Sequence, residues 1–257
     1  MDKIKGTYNE IILSFADGKQ VELPSNSGRW QKIVNQSNIT IDGNGNRIVL
    51  AFDTEQDAET LLLHKGFEVL IVGDENRLNI GRKFSVGYLP DWGMLGLRLN
   101  IGSPLDAWTA SDASRAANRC TMNIGEHVMV TGAKFYLQED ESTMKIGNDT
   151  MFSWGIDVWN SDAHTLMDSN GIPYNHPTKS LEIGRHVWVG KDVKIGKNVK
   201  IADGCVIGWN SLVTKSFEQP NCIIAGNPAK VIKENIQWDS RCLNNYLQHI
   251  GQSYSDK

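Results

Sequence analysis

The stretch LEIGRHVWVGKDVKIGKNVKIADGCVIGWNSLVTKSF, residues 181–217, places an aliphatic residue at every sixth position: Ile183, Val189, Ile195, Ile201, Ile207 and Val213. Four residues after each of the first five stands a second residue of buried type, Val187, Val193, Val199, Cys205 and the small Ser211. The spacing is therefore 4, 2, 4, 2. An amphipathic helix alternates 3 and 4, and a plain strand keeps to 2. Arg185, Lys191, Lys197, Asp203 and Trp209 break simple alternation once per repeat. Short strands that turn a corner every six residues account for the pattern. Gly184, Gly190, Gly196, Ala202 and Gly208 follow the aliphatics. Glycine at such a place is expected to serve the bend, often at positive φ. A period held this long marks a solenoid whose coils stack at strand spacing, about 4.8 Å, and the six-residue period belongs to β-helices.

These hexads, followed by NCIIAGNPAKVIKENI at 221–236, resemble the hexapeptide-repeat acyltransferases, and among them the bacterial sugar and surface-polysaccharide O-acetyltransferases. The likeness covers roughly residues 140–237. It implies an all-β fold, a left-handed parallel β-helix assembled as a homotrimer, that uses acetyl-CoA as co-substrate and needs no metal. Three regions are expected: an irregular β-rich N-terminal region, 1–120, with a long loop at 87–120; the β-helix, 121–237, with an active-site loop at 160–180; and a C-terminal helix and tail, 238–257.

Composition narrows the class. The 257 residues carry a formal charge of −4, which gives no electrostatic reason to expect nucleic acid. Twenty-four glycines and seven prolines suit many short strands and tight corners. The four cysteines, Cys120, Cys205, Cys222 and Cys242, form no C-x-x-C, and Cys205 falls on an inward hexad position. The start MDKIKGTYNE lacks the apolar core of a secretory signal, and no run of eighteen apolar residues exists. These features predict a cytoplasmic protein without a membrane span, with peripheral membrane association as the weaker alternative.

Along the chain, strands are expected at Ile11–Phe15, on both sides of the turn Asp42–Asn46, at Phe67–Val72 and at Leu78–Val86. Residues 36–86 read as wider coils stacked on the regular helix. The segment 87–120, with Trp92, Trp108 and two prolines, interrupts them, and Ile101-Gly102 is a candidate solitary coil within it. NSDAHTLMDSNGIPYNHPTKS, 160–180, is a second interruption. Near the end, Asp239 could cap a helix with Leu243, Tyr246, Leu247 and Ile250 on one face, packed on the end of the solenoid.

Six histidines compete for chemistry. His127 and His186 recur at one hexad position and read as solvated corner residues; His64 and His249 sit in no motif; His164 and His176 lie in the 160–180 loop. In the family, the general-base histidine precedes the tryptophan of I-G-x-x-V-W-[IV]-G by two dozen residues. His164 stands at that interval from Trp188, and His176 is too close. The resemblance therefore implies that His164 is the base, with Asp162 orienting its ring or else forming a turn. Trp188 and Gly190 would lie near the thioester, Trp209 (where the family usually has a small residue) and Thr214 along the pantetheine arm, and Lys230 and Lys233 at the CoA phosphates. The acceptor would be a sugar hydroxyl on a surface polysaccharide or its precursor. The alternatives are an N-acetyltransferase of a nucleotide-linked amino sugar and a non-catalytic solenoid. A zinc hydratase needs an H-x4-H pair, which 164, 176 and 186 do not supply.

Overall fold

The computed structural model describes residues 3–23, 28–87, 96–102 and 116–252. Trp92 and Trp108, and most of the long 87–120 segment, lie outside them. Among the described residues three sheets form the faces of a prism, and the chain winds round it from sheet to sheet. The first runs through Asn38–Asp42, Phe67–Val72, Leu97–Ile101, Ala133–Leu137, Ile156–Trp159, Lys194–Ile195 and Leu212–Val213. The second includes Glu10–Phe15, Arg47–Phe52, Arg77–Ile80, Thr121–Ile124, Thr143–Ile146, Ser180–Ile183 and Lys200–Ile201. The third runs from Ser85–Val86 through Met129–Val130, Met151–Phe152, Trp188–Val189 and Val206–Ile207 to Ile223–Gly226. Within these runs every pairing is parallel, as stacked coils require. The fold is a parallel β-helix.

Register explains the hexads. Ile183 pairs with Ile201, Val189 with Ile207 and Ile195 with Val213, so three hexads close one turn of the prism. All six aliphatics are at most 2% exposed. In the second sheet the inward ladder continues as Ile80, Ile124, Ile146, Ile183 and Ile201. Each fully buried rung contributes about 1.5–3 kcal/mol. Val187, Val193, Val199, Cys205 and Ser211 fill the corners beside the ladders and are buried as expected.

The glycines have a different reason from the expected one. Gly184, Gly190, Gly196 and Gly208 do not have positive φ; the left-handed position falls two residues later, at His186, Asp192, Asn198, Gly204 and Asn210. Asn and Asp tolerate that region better than other non-glycine residues, which accounts for the types found there. Most of the post-aliphatic glycines are required by the next coil instead. A Cβ on Gly147 would stand 2.6 Å from the backbone nitrogen of Arg185, and one on Gly190 would stand 2.6 Å from the carbonyl oxygen of Ile207.

The first coils are wider because helices occupy the third face. Helix α1, Gly28–Gln36, buries Trp30, Ile33 and Val34, and α2, Glu55–Leu62, buries Ala58, Leu61 and Leu62. Thr54 and Asp57 close a reciprocal capping box on α2. Neither helix was expected from the sequence. The strands flanking Asp42–Asn46 pair not with each other but with neighbouring coils in two different sheets, so that turn is a prism corner. Leu97–Ile101 is a full strand of the first sheet, paired with Phe67–Val72 and Ala133–Leu137, rather than a solitary coil.

Two antiparallel strands close the sheets: Gln20–Leu23 on Glu10–Phe15, and Ala229–Lys233 on Ile223–Gly226. Helix α3, Leu243–His249, follows, and it corrects the expectation of a packed end-helix. Its N-cap position is Cys242, which makes no side-chain capping bond, it buries no side chain, and Asp239 pairs with Arg241 instead. No described helix is long and apolar enough to cross a membrane. Cys120, Cys205 and Cys222 are buried free thiols and Cys242 is an exposed one; burial pushes the Cys120 thiol up to about 11.

Candidate active site

The chain leaves the first sheet at Trp159 and joins the second at Ser180. The excursion between them is built and fastened. Buried Asn160 donates to Ser142 Oγ at 2.8 Å and accepts from the Gln138 amide at 2.8 Å. Ser161 Oγ donates to Glu139 Oε1 at 2.6 Å and accepts from the Ala163 amide at 2.9 Å. Ala163 then takes φ +59, an uncommon conformation for a residue with a Cβ, and turns the chain immediately before His164. Asn175 reaches back from the far limb, donating to Asp162 Oδ2 and to the His164 carbonyl at 2.9 Å each and accepting from the Leu166 amide at 3.0 Å. Beyond His164 an arm bends at Asp168–Gly171 and exposes Leu166, Met167, Ile172 and Tyr174.

Lys197, from the next coil, ties the two limbs together. Its ammonium donates to Asp162 Oδ2 and, at 2.9 Å, to the His176 carbonyl. The Lys197 and Asn175 donors hold the Asp162 carboxyl below the usual carboxylate range. A carboxyl lowered in this way adds stability above its unfolded value and loses it as pH falls through its folded value. The tie is therefore complete at neutral pH and is released only in acid. Lys197→Met should free the excursion. Limited proteolysis between 162 and 176 is expected to accelerate while the thermal midpoint shifts by no more than about 2–4 °C, since a partly exposed pair is worth about 1 kcal/mol or less. Unchanged cleavage would show that Lys197 does not hold the loop.

The two loop histidines come together. His164 and His176 line one cavity of about 630 Å³ with Glu139, Ser161, Thr165 and Asn175. The His164 imidazole has no hydrogen-bond partner among the described residues, so both ring nitrogens are available to a ligand. Asp162 does not orient that ring: its carboxylate is engaged by Lys197 and Asn175, and its structural work is to hold the loop.

The remaining histidines have structural surroundings. His127 and His186 share the positive-φ corner position. His127 Nδ1 lies 3.4 Å from Asp149, while His186 stacks on Trp238 at 4.1 Å and 7°. His64 Nδ1 accepts from the Gly66 amide at 3.1 Å, and His249 is in α3.

The residues assigned to the donor lie together on the third sheet and its continuation. Trp188 is half-buried, and its Nε1 donates to Ser153 Oγ at 3.4 Å. A Cβ on Gly190 would touch the Trp209 ring at 2.7 Å, so the bulky indole sits over a position kept bare. Trp209 is 68% exposed, and Thr214 is exposed beyond it. Lys230 and Lys233 stand exposed on the closing strand Ala229–Lys233. Trp238, which packs 6.0 Å from Trp188 and fixes the C-terminal segment through His186, belongs to no sequence pattern. None of these residues lines the His164 cavity, which opens at the corner between the first and second sheets.

Residues 181–215 match the bacterial transferase hexapeptide model of six repeats. The chain is 32% identical over 186 residues to a polysialic acid O-acetyltransferase of Neisseria meningitidis, covering 70% of this chain and 82% of that one. It is 39% identical over 107 residues to a polysialic acid O-acetyltransferase of Escherichia coli O1:K1, which is 42% of this chain but only 34% of that relative's length. Among solved structures, the polysialic acid O-acetyltransferase OatWY superposes with a TM-score of 0.56 at 24% identity, over 81% of this chain and 94% of that one. Coil geometry, repeat and relatives define a solenoid of the transferase-hexapeptide class. The chain belongs to the hexapeptide-repeat acyltransferase family.

Proposed function

We propose that the protein transfers an acetyl group from acetyl-CoA to a sugar hydroxyl of a surface polysaccharide or its precursor, with His164 as general base. The observation that carries this reading is His164, without a hydrogen-bond partner for its imidazole among the described residues and lining an open cavity at the interval from Trp188 that the family uses. The relatives named as polysialic acid O-acetyltransferases support hydroxyl acetylation of a polysaccharide.

A sugar hydroxyl is a poor nucleophile at neutral pH. The neutral imidazole takes its proton as the oxygen attacks the thioester carbonyl. A backbone N–H stabilises the oxyanion; the tetrahedral intermediate then collapses, the C–S bond breaks, and the imidazolium returns its proton to the departing thiolate. The thioester is already activated, so no acyl-enzyme is needed. CoA runs from Trp188 and Gly190 past Trp209 and Thr214 to Lys230 and Lys233, whose ammonium groups meet its phosphates.

His164 and this donor path lie on different sides of the prism. The reading therefore requires the base of one protomer to meet the donor residues of another, in a homotrimer of left-handed helices. The exposed apolar residues of the arm, Leu166, Met167, Ile172 and Tyr174, fit burial against a neighbouring copy. Sedimentation should give a trimer, and Met167→Asp with Ile172→Asp should yield inactive monomers; a fully active monomer refutes the shared site. The reaction itself is tested by thiol release from acetyl-CoA across a panel of oligosaccharides, polysialic acid included. Release without any acceptor dependence would refute it.

A further inference from the structure

A second cavity, of about 440 Å³, opens where the chain enters the first sheet, and the reaction above makes no use of it. Its wall carries Lys134, Trp154, Asp157, Lys191, Asp192 and Lys194. Both carboxylates are engaged. Asp157 accepts from Lys194, which also donates to the Gly155 carbonyl at 3.0 Å, and Asp192 lies 3.3 Å from Lys191. Lys134, half-buried, has no hydrogen bond or ion pair among the described residues.

Register sharpens the imbalance. Glu68, Arg98, Lys134, Asp157 and Lys194 form one outward column across adjacent strands. Arg98 holds Glu68 at 3.0 Å and Lys194 holds Asp157, so each carboxylate in the column already has a cation. Lys134 stands between Arg98 and Asp157 at strand spacing, about 4.8 Å, and Asp157 is already held by Lys194. An anion seated on Lys134 would give it a counter-ion of its own. Trp154 lines the same wall, and its indole Nε1 is buried without an acceptor among the described residues. An unmet buried donor is unfavourable, and a small turn of the indole toward a bound oxygen would satisfy it.

We propose that this cavity binds the carboxylate of an acidic sugar, with Lys134 as its counter-ion and the Trp154 ring as the platform for the sugar's apolar face. The volume lies within the range of small-ligand sites, about 300–1,000 Å³, and an aromatic wall with a few polar groups is their usual construction. The three lysines and two aspartates leave a single positive charge, which suits one carboxylate better than a phosphate dianion. Lys191 follows Gly190 directly and Ser153, the partner of Trp188, precedes Trp154, so the cavity borders the proposed thioester end of the donor path. A carboxylate fixed there would select acidic acceptors and set which hydroxyl is presented. The site rests on the proposed acetyl transfer for this role in specificity, though not for the binding itself.

The test is therefore binding, read without turnover on the intact protein labelled with 15N at tryptophan. Trp154→Phe identifies the Trp154 indole signal. N-acetylneuraminic acid should move that signal saturably. Its methyl ester, of the same shape without the charge, should bind about tenfold more weakly or worse, the worth of one charge-assisted hydrogen bond. In Lys134→Gln, acid and ester should bind alike. The site is overturned if the signal stays still, if acid and ester act equally on the unaltered protein, or if a second copy has already engaged the indole so that no addition moves it. Inorganic phosphate binding as tightly as the acid, and displaced by acetyl-CoA, would assign the cavity to the donor and overturn it as well. A protein that binds the acid selectively yet never releases thiol would refute the reaction and leave this site standing.

Discussion

His164→Ala is expected to lower kcat by about 10²–10⁴, the usual contribution of a positioned general base, while leaving assembly and thermal midpoint unchanged. Neither effect conflicts with the other, because the His164 side chain is exposed and has no hydrogen-bond partner among the described residues; the loop is held by its carbonyl, by Asp162 and by Asn175, all of which survive the substitution. His176→Ala is the matched control, since that ring lines the same cavity. Its cost should be far smaller. A His164→Ala enzyme within a few-fold of normal beside an inactive His176→Ala would transfer the role to the second histidine.

The second large effect is on stability. Gly147→Ala should destabilise the protein by about 1–3 kcal/mol, the cost of forcing an atom into packed structure. At about 2–4 °C per kcal/mol, that lowers the midpoint by several degrees. The new Cβ would lie 2.6 Å from the Arg185 nitrogen and from the Gly184 carbonyl carbon, which are backbone atoms of the next coil and cannot step aside without lifting it. Gly196→Ala is the comparison at the equivalent hexad position, and its Cβ meets nothing nearer than the Val213 oxygen at 3.6 Å. It should be neutral or slightly stabilising, through loss of unfolded-state freedom. Equal midpoints for the two variants would mean that the coils do not stack as tightly as described.

The same pair of glycines shows where sequence reasoning reaches and where it stops. A residue without a side chain after each aliphatic is visible in the hexads, but its cause is not. Whether the backbone must take positive φ or the next coil must come close depends on atoms one turn away, and at most of these positions it is the coil. The solenoid itself was legible because every hexad repeats one demand, an aliphatic facing inward, and Ile183 to Val213 meet it without a lapse. Helices α1 and α2 were missed although Thr54 and Asp57 spell a cap. Their apolar faces are short, and they form because the third side of the prism is open in the first coils.

At the site, the interval from His164 to Trp188 was readable, and so was the 160–180 excursion. The partner of Asp162 was not, because Lys197 lies a coil away and nothing in SDAH points to it. Trp238 gave no sign at all, being fixed by a stack with His186 from another part of the chain. The exposed face of α3 shows the opposite failure: a helical pattern was present, but the surface it was expected to cover is not beneath it.

The antiparallel strands at the two ends have a consequence for the molecule in the cell. A stack of parallel coils presents at each end a row of unpaired amide and carbonyl groups in the register that another such stack would need, and a second molecule could add there as one more coil. Gln20–Leu23 and Ala229–Lys233 occupy one sheet at either end with a strand running the wrong way for that addition. The outward strand at the C-terminal end also carries Lys230 and Lys233, whose charges repel a second copy of the same edge. The solenoid therefore has a fixed length. Deleting 229–233 together with 20–23 should turn a discrete particle into one that grows end to end into filaments, while either deletion alone should not.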